Sequence, residues 1–412
     1  NALLQNAHHQ AALGFVLVLL GCAAAAALAA FLVRRFSPHA GGSGIPQIEA
    51  ALNGDLPPAP PKLLPVKFFG GWVAIGSGMA LGREGPSVQM GAVVAHLVGN
   101  VCRLSSEDLR LLLAAGAGAG LAVAFNAPIA GAVFVMEELV RRFEPRMAIV
   151  ALGASSTAIL ISRLFLGDAP DFRVAIASQA AMPTGPLPYA DATTWPLYVG
   201  LGLVAGLVAA FYNRALVGVF VWLQRWTAIA IAVEAKAAAI GVIVGLVCWF
   251  APELAGGGDS ITQGLLAGGI AVGSIPLAFA VRFGLGTVSY AARTPGGLFA
   301  PMLVLGAQLG VMFGALCAAA FPHLGIEPAA FAVVGMAAFF TGVVQAPVTG
   351  IVLATEMTAA FTTLLPMLAA CFAAMLAAHL TRTAPIYDVL LSYIVKDAPA
   401  DRWSLSLTKA RR

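Results

Sequence analysis

Long apolar runs alternate with short polar, glycine or proline breaks along almost the whole chain. Residues 11–33, 147–166, 196–222, 229–251 and 361–380 are runs long enough to cross a bilayer as helix, which takes about 20 residues. Other runs are shorter and stop at breaks. Residues 66–81 and 86–101 flank Gly82-Arg83-Glu84-Gly85-Pro86, 108–125 and 128–139 flank Asn126-Ala127-Pro128, and 329–345 and 347–358 flank Ala346-Pro347. The run 302–319 follows Gly296-Gly297-Leu298-Phe299-Ala300-Pro301, and 270–292 is broken by Pro276 and Arg282. Glycine-rich stretches at 40–49 and 256–261 lead into short helices or loops, 57–65 is a proline-rich loop, and 105–108 carries a helix-start signal. The pattern predicts an all-α chain whose helices are often short, tilted or stopped halfway. Such breaks are tolerated at membrane depth only where they are buried in protein or line a cavity.

Composition fixes the class. The 412 residues are 60% hydrophobic and only 10% charged, against about 25% charged in soluble domains. So few charges could not cover a soluble protein of this size, and the chain reads as a polytopic membrane protein. Forty-five glycines suit close helix approach in lipid. A net charge of +4 gives no sign of a nucleic-acid partner. Cationic groups stand where segments end, at Arg34-Arg35, Arg141-Arg142, Arg146 and the tail Lys409, Arg411 and Arg412. Such clusters usually lie in the cytoplasm, which puts the C-terminus inside. The five cysteines, Cys22, Cys102, Cys248, Cys317 and Cys371, form no Cys-x-x-Cys pair. With histidines at no ligand spacing, we read no disulfide, metal or cofactor site.

The two halves repeat. Gly82-x-Glu84-x-Pro86 aligns with Gly297-x-Phe299-x-Pro301, and Lys67 and Arg282 each lie 17 residues before Glu84 and Phe299. Gly41 to Gln47 resembles Gly257 to Gln263, and Pro128 to Glu137 matches Pro347 to Glu356 with equal spacing. Four matches in one order at near-constant offset divide the chain into a first half at 1–166, a connecting loop at 167–194, a second half at 195–382, and a C-terminal helix and tail at 383–412. Repeats joined by broken helices mark many secondary transporters, with the site at the repeat interface. Two spans precede Gly257 but one precedes Gly41, so the natural protein is expected to carry at least one more helix upstream.

The breaks carry the candidate chemistry. Short segments start after Ser43, Glu84, Phe299 and Ala346, and a helix N-terminus offers free N–H groups and partial positive charge. Several converging would hold a small anion without a full cation. Ser43 adds a hydroxyl, unless it only caps a helix, and Tyr387 adds a second, unless it is an interfacial anchor. Glu84 in an anion pathway would take the anion's place when charged and withdraw when protonated. Desolvation favours the neutral form of a carboxylate, so protonation near neutral pH is feasible. The plainer alternative pairs Glu84 with Arg83 at a membrane surface. Glu137 matches Glu356, and both read as structural. Glu138, opposite Met357, has no such match and reads as an inner proton acceptor. Lys67 and Arg282 add positive potential along the path or serve architecture.

Gly42-Ser43-Gly44-Ile45-Pro46, Gly82 to Pro86, and Gly297-x-Phe299-x-Pro301 resemble the three signature motifs of the CLC chloride channel and transporter family, in order and spacing. The similarity runs over essentially the whole chain. The resemblance implies the CLC fold, two inverted-topology repeats of broken, half-spanning helices, in a homodimer with one pathway per subunit. It implies that Ser43, Ile45, Phe299 and Tyr387 surround a bound chloride, with Ile45 and Phe299 giving backbone N–H groups. Glu84 looks like the family's gating glutamate. Glu138 falls where the exchangers carry an internal proton glutamate and the channels typically an apolar residue. Ser43 is the family's residue for chloride, where nitrate-preferring members carry Pro. The expected protein is an H+/Cl− exchanger of a bacterial inner membrane, with a passive chloride channel as the alternative. A remote rival is an intramembrane serine protease using Ser43 and His379.

Overall fold

The computed structural model describes residues 2–167, 172, 174, 190–228 and 232–396. Most of the expected connecting loop at 167–194 and the tail beyond Lys396, with its basic cluster, lie outside the described residues. Sixteen α-helices are found among the described residues, which contain no strand. The first series comprises α1 (Ala2–Phe36), α2 (Ile45–Asn53), α3 (Leu63–Gly76), α4 (Glu84–Val101), α5 (Ser106–Phe125), α6 (Pro128–Phe134) and α7 (Pro145–Leu166). The second comprises α8 (Trp195–Ala228), α9 (Val233–Phe250), α10 (Asp259–Leu266), α11 (Ile275–Ala291), α12 (Phe299–Ala320), α13 (Pro328–Val344), α14 (Pro347–Thr358), α15 (Leu364–Leu380) and α16 (Ile386–Lys396). Eight described helices are long and apolar enough to cross a membrane.

Local chemistry sets the ends. Ser105 caps α5 by accepting from the Asp108 N–H at 3.2 Å. Prolines open α6, α7, α13 and α14, where a missing N–H costs nothing. The helices α5 and α13 both end on a left-handed residue, Asn126 and Gln345, just before their Ala-Pro breaks. The same correspondence appears in packing. A Cβ on Gly91 of α4 would lie 2.3 Å from the Gly116 carbonyl of α5, and one on Gly306 of α12 would lie 2.5 Å from the Gly335 carbonyl of α13. Only glycine allows either helix pair to approach so closely, as expected where lipid supplies no hydrophobic drive. The helix α13 is buried all round. By contrast α7 turns Ile149, Leu164 and Phe165 outward, a surface suited to lipid.

Three expectations change. The apolar stretch 77–81 is not helix: α3 stops at Gly76, Gly78 takes φ +94°, and the Ala80 N–H donates to Ser289 Oγ at 3.1 Å. Its apolar side chains face protein, which hid the loop from the hydropathy pattern. Arg282 does not break α11, because arginine is a good helix former and its charged end reaches carbonyls outside the helix. The run 128–139 is continuous, but its last turn, Val135–Leu139, widens to a π turn. Such widened turns recur at functional sites.

Lys67 and Arg282 clamp matching loops. Lys67 Nζ donates to the carbonyls of Ala40 and Gly42 at 3.1 and 2.7 Å. Arg282 donates to those of Leu254, Gly256 and Gly257 at 3.0, 2.5 and 2.7 Å. Each cation satisfies the carbonyls of the glycine-rich loop ahead of a short helix. Their hydrogen-bonding groups are turned on these loops, which supports the architectural of their two readings. Helices α6 and α14 cap each other reciprocally. Glu356 accepts from Ile129 and Ala130 N–H at 3.1 and 2.8 Å, and Glu137 accepts from Val348 and Thr349 N–H at 3.0 and 2.6 Å. A carboxylate on a helix N-terminus pairs orphan donors and the positive end of the dipole together. Replacing Glu356 by Ala should cost about 1–2 kcal/mol of stability, read as a lower thermal midpoint in detergent, with Glu137→Ala behaving alike.

Candidate functional site

Three glycine-rich breaks meet and are laced by their backbones. Gly42 N–H donates to Thr294 at 3.1 Å, and Gly296 N–H donates back to Gly42 at 3.1 Å. Gly82 and Gly297 exchange both bonds, at 2.9 and 2.7 Å. The breaks belong to α2, α4 and α12, so the lacing brings three helix N-termini to one place. Contacts there are tight: a Cβ on Gly85 would lie 2.8 Å from the Ser43 carbonyl, and one on Gly297 would lie 2.9 Å from Gly85 N. The fourth expected segment does not join them. The N-terminus of α14, after Ala346, is already taken by Glu137.

Ser43 sits at the start of α2 and is 1% exposed. Its Oγ accepts weakly from Ile45 N–H at 3.4 Å, and the Tyr290 hydroxyl is hydrogen-bonded to Ser43. Gly44 takes φ +92° to turn the chain into α2, and a Cβ there would lie 2.4 Å from Gln89 Oε1. Ile45 is fully buried behind it.

Glu84 begins α4 and is 2% exposed. Its side chain folds back over Gly82, where a Cβ would lie 1.8 Å from Glu84 Oε2. The backbone of Glu84 itself and of Ala300, at the starts of α4 and α12, lies within electrostatic reach of the carboxylate. Oε2 is buried with no hydrogen-bond partner. Arg83 instead turns outward, with Nη2 donating to Ala124 O at 3.3 Å, and forms no salt bridge with Glu84. A carboxylate thus lies at the meeting of helix N-termini, where a free anion would be received.

Phe299, the counterpart of Glu84, is an anchor among rings. Phe340, Phe134 and Phe125 surround it at centroid distances of 5.0, 5.6 and 6.0 Å, and Tyr387 stacks on it at 6.2 Å. The Tyr387 hydroxyl is buried without a protein partner. Glu84 and Glu138 both lie within electrostatic reach of it. Glu138 stands on the π turn, 4% exposed, with Oε1 unpartnered. The structure therefore places Ser43, Ile45, Glu84, Phe299 and Tyr387 together, with Glu138 within electrostatic reach of Tyr387.

Several residues here escaped the sequence reading. Arg141 pairs with the buried Glu49 at 3.1 Å and with Asp388, joining α2 to the residue after Tyr387 and to the edge of the Glu138 turn. Arg141 was read as a mark of membrane sidedness, but its charge is engaged in the fold. Arg34 is likewise paired, with Glu234 at 2.5 Å. The signals were present: Glu49 lies one turn after Ile45, and Asp388 adjoins Tyr387. Tyr290 carried no signal beyond its place in an apolar run. The protease reading lapses, since the partners of Ser43 Oγ are Ile45 and Tyr290, while His379 is exposed on α15.

Residues 25–379 match the family model described as the voltage gated chloride channel. The chain belongs to the CLC family. This CLC chain is 38% identical over 397 residues to the H(+)/Cl(−) exchange transporter ClcA of Cronobacter sakazakii, covering 94% of the chain and 82% of the relative. To ClcA of Vibrio cholerae it is 39% identical over 371 residues, 89% of the chain and 77% of the relative. Its fold superposes on the crystal structure of a slow cyanobacterial Cl−/H+ antiporter with a TM-score of 0.85 and 31% identity, covering 93% and 88% of the two chains. Like these relatives it is an integral, multi-pass membrane protein and a transporter type rather than an enzyme.

The packing over Gly82 generates a prediction. Gly82→Ala should push the Glu84 carboxylate off the helix starts, because the clash falls on the movable end of a side chain. A crystal structure of the variant should show Glu84 in another rotamer; an unmoved carboxylate would contradict the geometry.

Proposed function

We propose that this CLC chain is a secondary active exchanger that carries chloride one way and protons the other across a membrane. One observation carries the reading: the buried Glu84 carboxylate folds over Gly82 where the starts of α2, α4 and α12 meet, with Oε2 unpartnered. A negative side chain there competes with a halide for the same donors. When Glu84 takes up a proton its hold on them weakens, and chloride can replace it. Proton movement and chloride movement then use one site in turn.

In this reading the bound chloride is surrounded by Ser43, Ile45, Phe299 and Tyr387, with helix dipoles in place of a full cation. Partial charges hold a small anion and still release it. Glu84 is gate and outer proton carrier, and Glu138 is the inner one. Burial of Glu138 beside the Arg141 ion-pair cluster supports that role, since a passive anion pathway has no use for an acid there. Arg83, Lys67, Arg282, Glu137 and Glu356 hold the frame. The names of the ClcA relatives and the antiporter title of the cyanobacterial structure support exchange over passive flow. The reading extends to a homodimer with a pathway in each subunit, to the two halves as inverted repeats, and to a bacterial inner membrane with the C-terminus cytoplasmic. It calls for no cofactor, only chloride ions bound in the pathway.

The test is transport in liposomes. An imposed chloride gradient should drive protons uphill through the wild type, and absence of that flux would leave a passive channel. Glu84→Ala should lose proton coupling while chloride still moves, and Glu138→Gln should lose proton transport while keeping most chloride flux. Both are read by paired chloride and pH electrodes.

A further inference from the structure

Cys22 and Cys248 stand 226 positions apart, and no spacing rule connects them. In the fold they meet. Both sulfurs donate to one acceptor, the Ser77 carbonyl, at 3.3 and 3.8 Å, which sets the two thiols near each other. The backbones behind them approach closely. A Cβ on Gly241 of α9 would lie 2.5 Å from the Cys22 carbonyl, and one on Gly245 would lie 3.4 Å from Cys22 Cβ. A disulfide requires Cβ atoms about 3.5–4.5 Å apart, and the close packing of α1 on α9 with the shared Ser77 acceptor brings the two thiols to one place. The pair opens on a groove that also includes Trp72, Ser77, Gly78 and Gly256. Cys248 lies in the last turn of α9, next to the polar 251–258 loop, so the groove is near one end of the helices.

The acceptor is well placed to matter. Ser77 ends α3 and begins the 77–83 arm that leads to Glu84. Among the described residues, the two thiols are the donors recorded for its carbonyl. Gly78 holds φ +94° with Cys248 Sγ only 2.5 Å from where its Cβ would be. The Gly78 carbonyl accepts from Gly256 N–H at 2.8 Å, in the loop that Arg282 clamps.

We propose that Cys22 and Cys248 form a redox-modifiable dithiol that closes to a disulfide by exchange with a small-molecule disulfide, and that closure slows transport by freeing the arm that carries Glu84. The Cys248 thiol, the more exposed of the two, gives its proton to water and attacks the small disulfide, releasing one small thiol. Cys22 then loses its proton and attacks Cys248 Sγ in the mixed disulfide, releasing the second. Two protein thiols and one small disulfide become one protein disulfide and two small thiols, so electrons and atoms balance. The product has no S–H, and the Ser77 carbonyl loses both donors.

The full chain is incubated with glutathione disulfide, its remaining thiols are blocked with N-ethylmaleimide, and the peptides are mapped by mass spectrometry. A Cys22–Cys248 linked peptide is expected. Maleimide on both residues, or linkage of either to Cys102, Cys317 or Cys371, would overturn the proposal. Chloride efflux from liposomes should slow several-fold on oxidation and recover with dithiothreitol, whereas Cys22→Ser should not respond to the oxidant. A linked protein with unchanged efflux would overturn the link to the arm. That flux arm rests on the transport reading, while the peptide map does not, so failure of one is distinguishable from failure of the other.

Discussion

The fold turns on backbone hydrogen bonds between glycine-rich breaks. In lipid an unpaired peptide group costs several kcal/mol, so a chain that stops being helical at membrane depth must pair its N–H and C=O groups within the protein. Here the breaks do this for one another: Gly42 pairs with Thr294 and Gly296, and Gly82 with Gly297. The consequence is positional. Pairing the loops leaves the first N–H groups of the helices that follow directed to one place, and the donors that the break cannot satisfy internally become the site. A continuous helix in any of the three positions would have consumed those donors.

The same constraint explains the buried cations. Lys67 and Arg282 are the largest desolvated charges of the two halves, and a buried charge is tolerated only with partners. Their partners are carbonyls of the loops just ahead of α2 and α10, not carboxylates. Each cation therefore completes the hydrogen bonding of a loop that folds back into the protein. This also keeps full positive charge pointed at carbonyl dipoles. Any anion at the meeting of α2, α4 and α12 faces partial charges instead. Glu137 and Glu356 play the complementary part for α6 and α14, filling N-termini that would otherwise attract anions of their own.

Much of this was legible in the residues. Gly-x-Glu-x-Pro and Gly-x-Phe-x-Pro mark two of the three breaks, and the equal Pro-to-Glu spacing of 128–137 and 347–356 carries the reciprocal capping. What stayed hidden falls into two kinds. Local hydropathy misled at 77–81, where apolar side chains pack in a non-helical arm, and at Arg282, whose charge leaves its helix by a long side chain. Long-range pairs were out of reach altogether. Nothing near Arg141 in the chain says that Glu49 and Asp388 will flank it, and nothing near Cys22 points to Cys248. Periodicity reports which face of a helix is buried, and says little about which distant residue will meet it.

Glu84 and Phe299 show how a repeat becomes asymmetric. Both occupy the first helical residue after a paired glycine break, and both are almost fully buried. Phe299 fills its side with a ring packed among Phe125, Phe134, Phe340 and Tyr387. Glu84 fills the other with a buried carboxylate close to both helix starts, its Oε2 unpartnered. Symmetry at this pair would give either a sealed core or two competing charges. The single substitution across the pseudo-equivalent position sets one ionisable side chain against a packed aromatic wall.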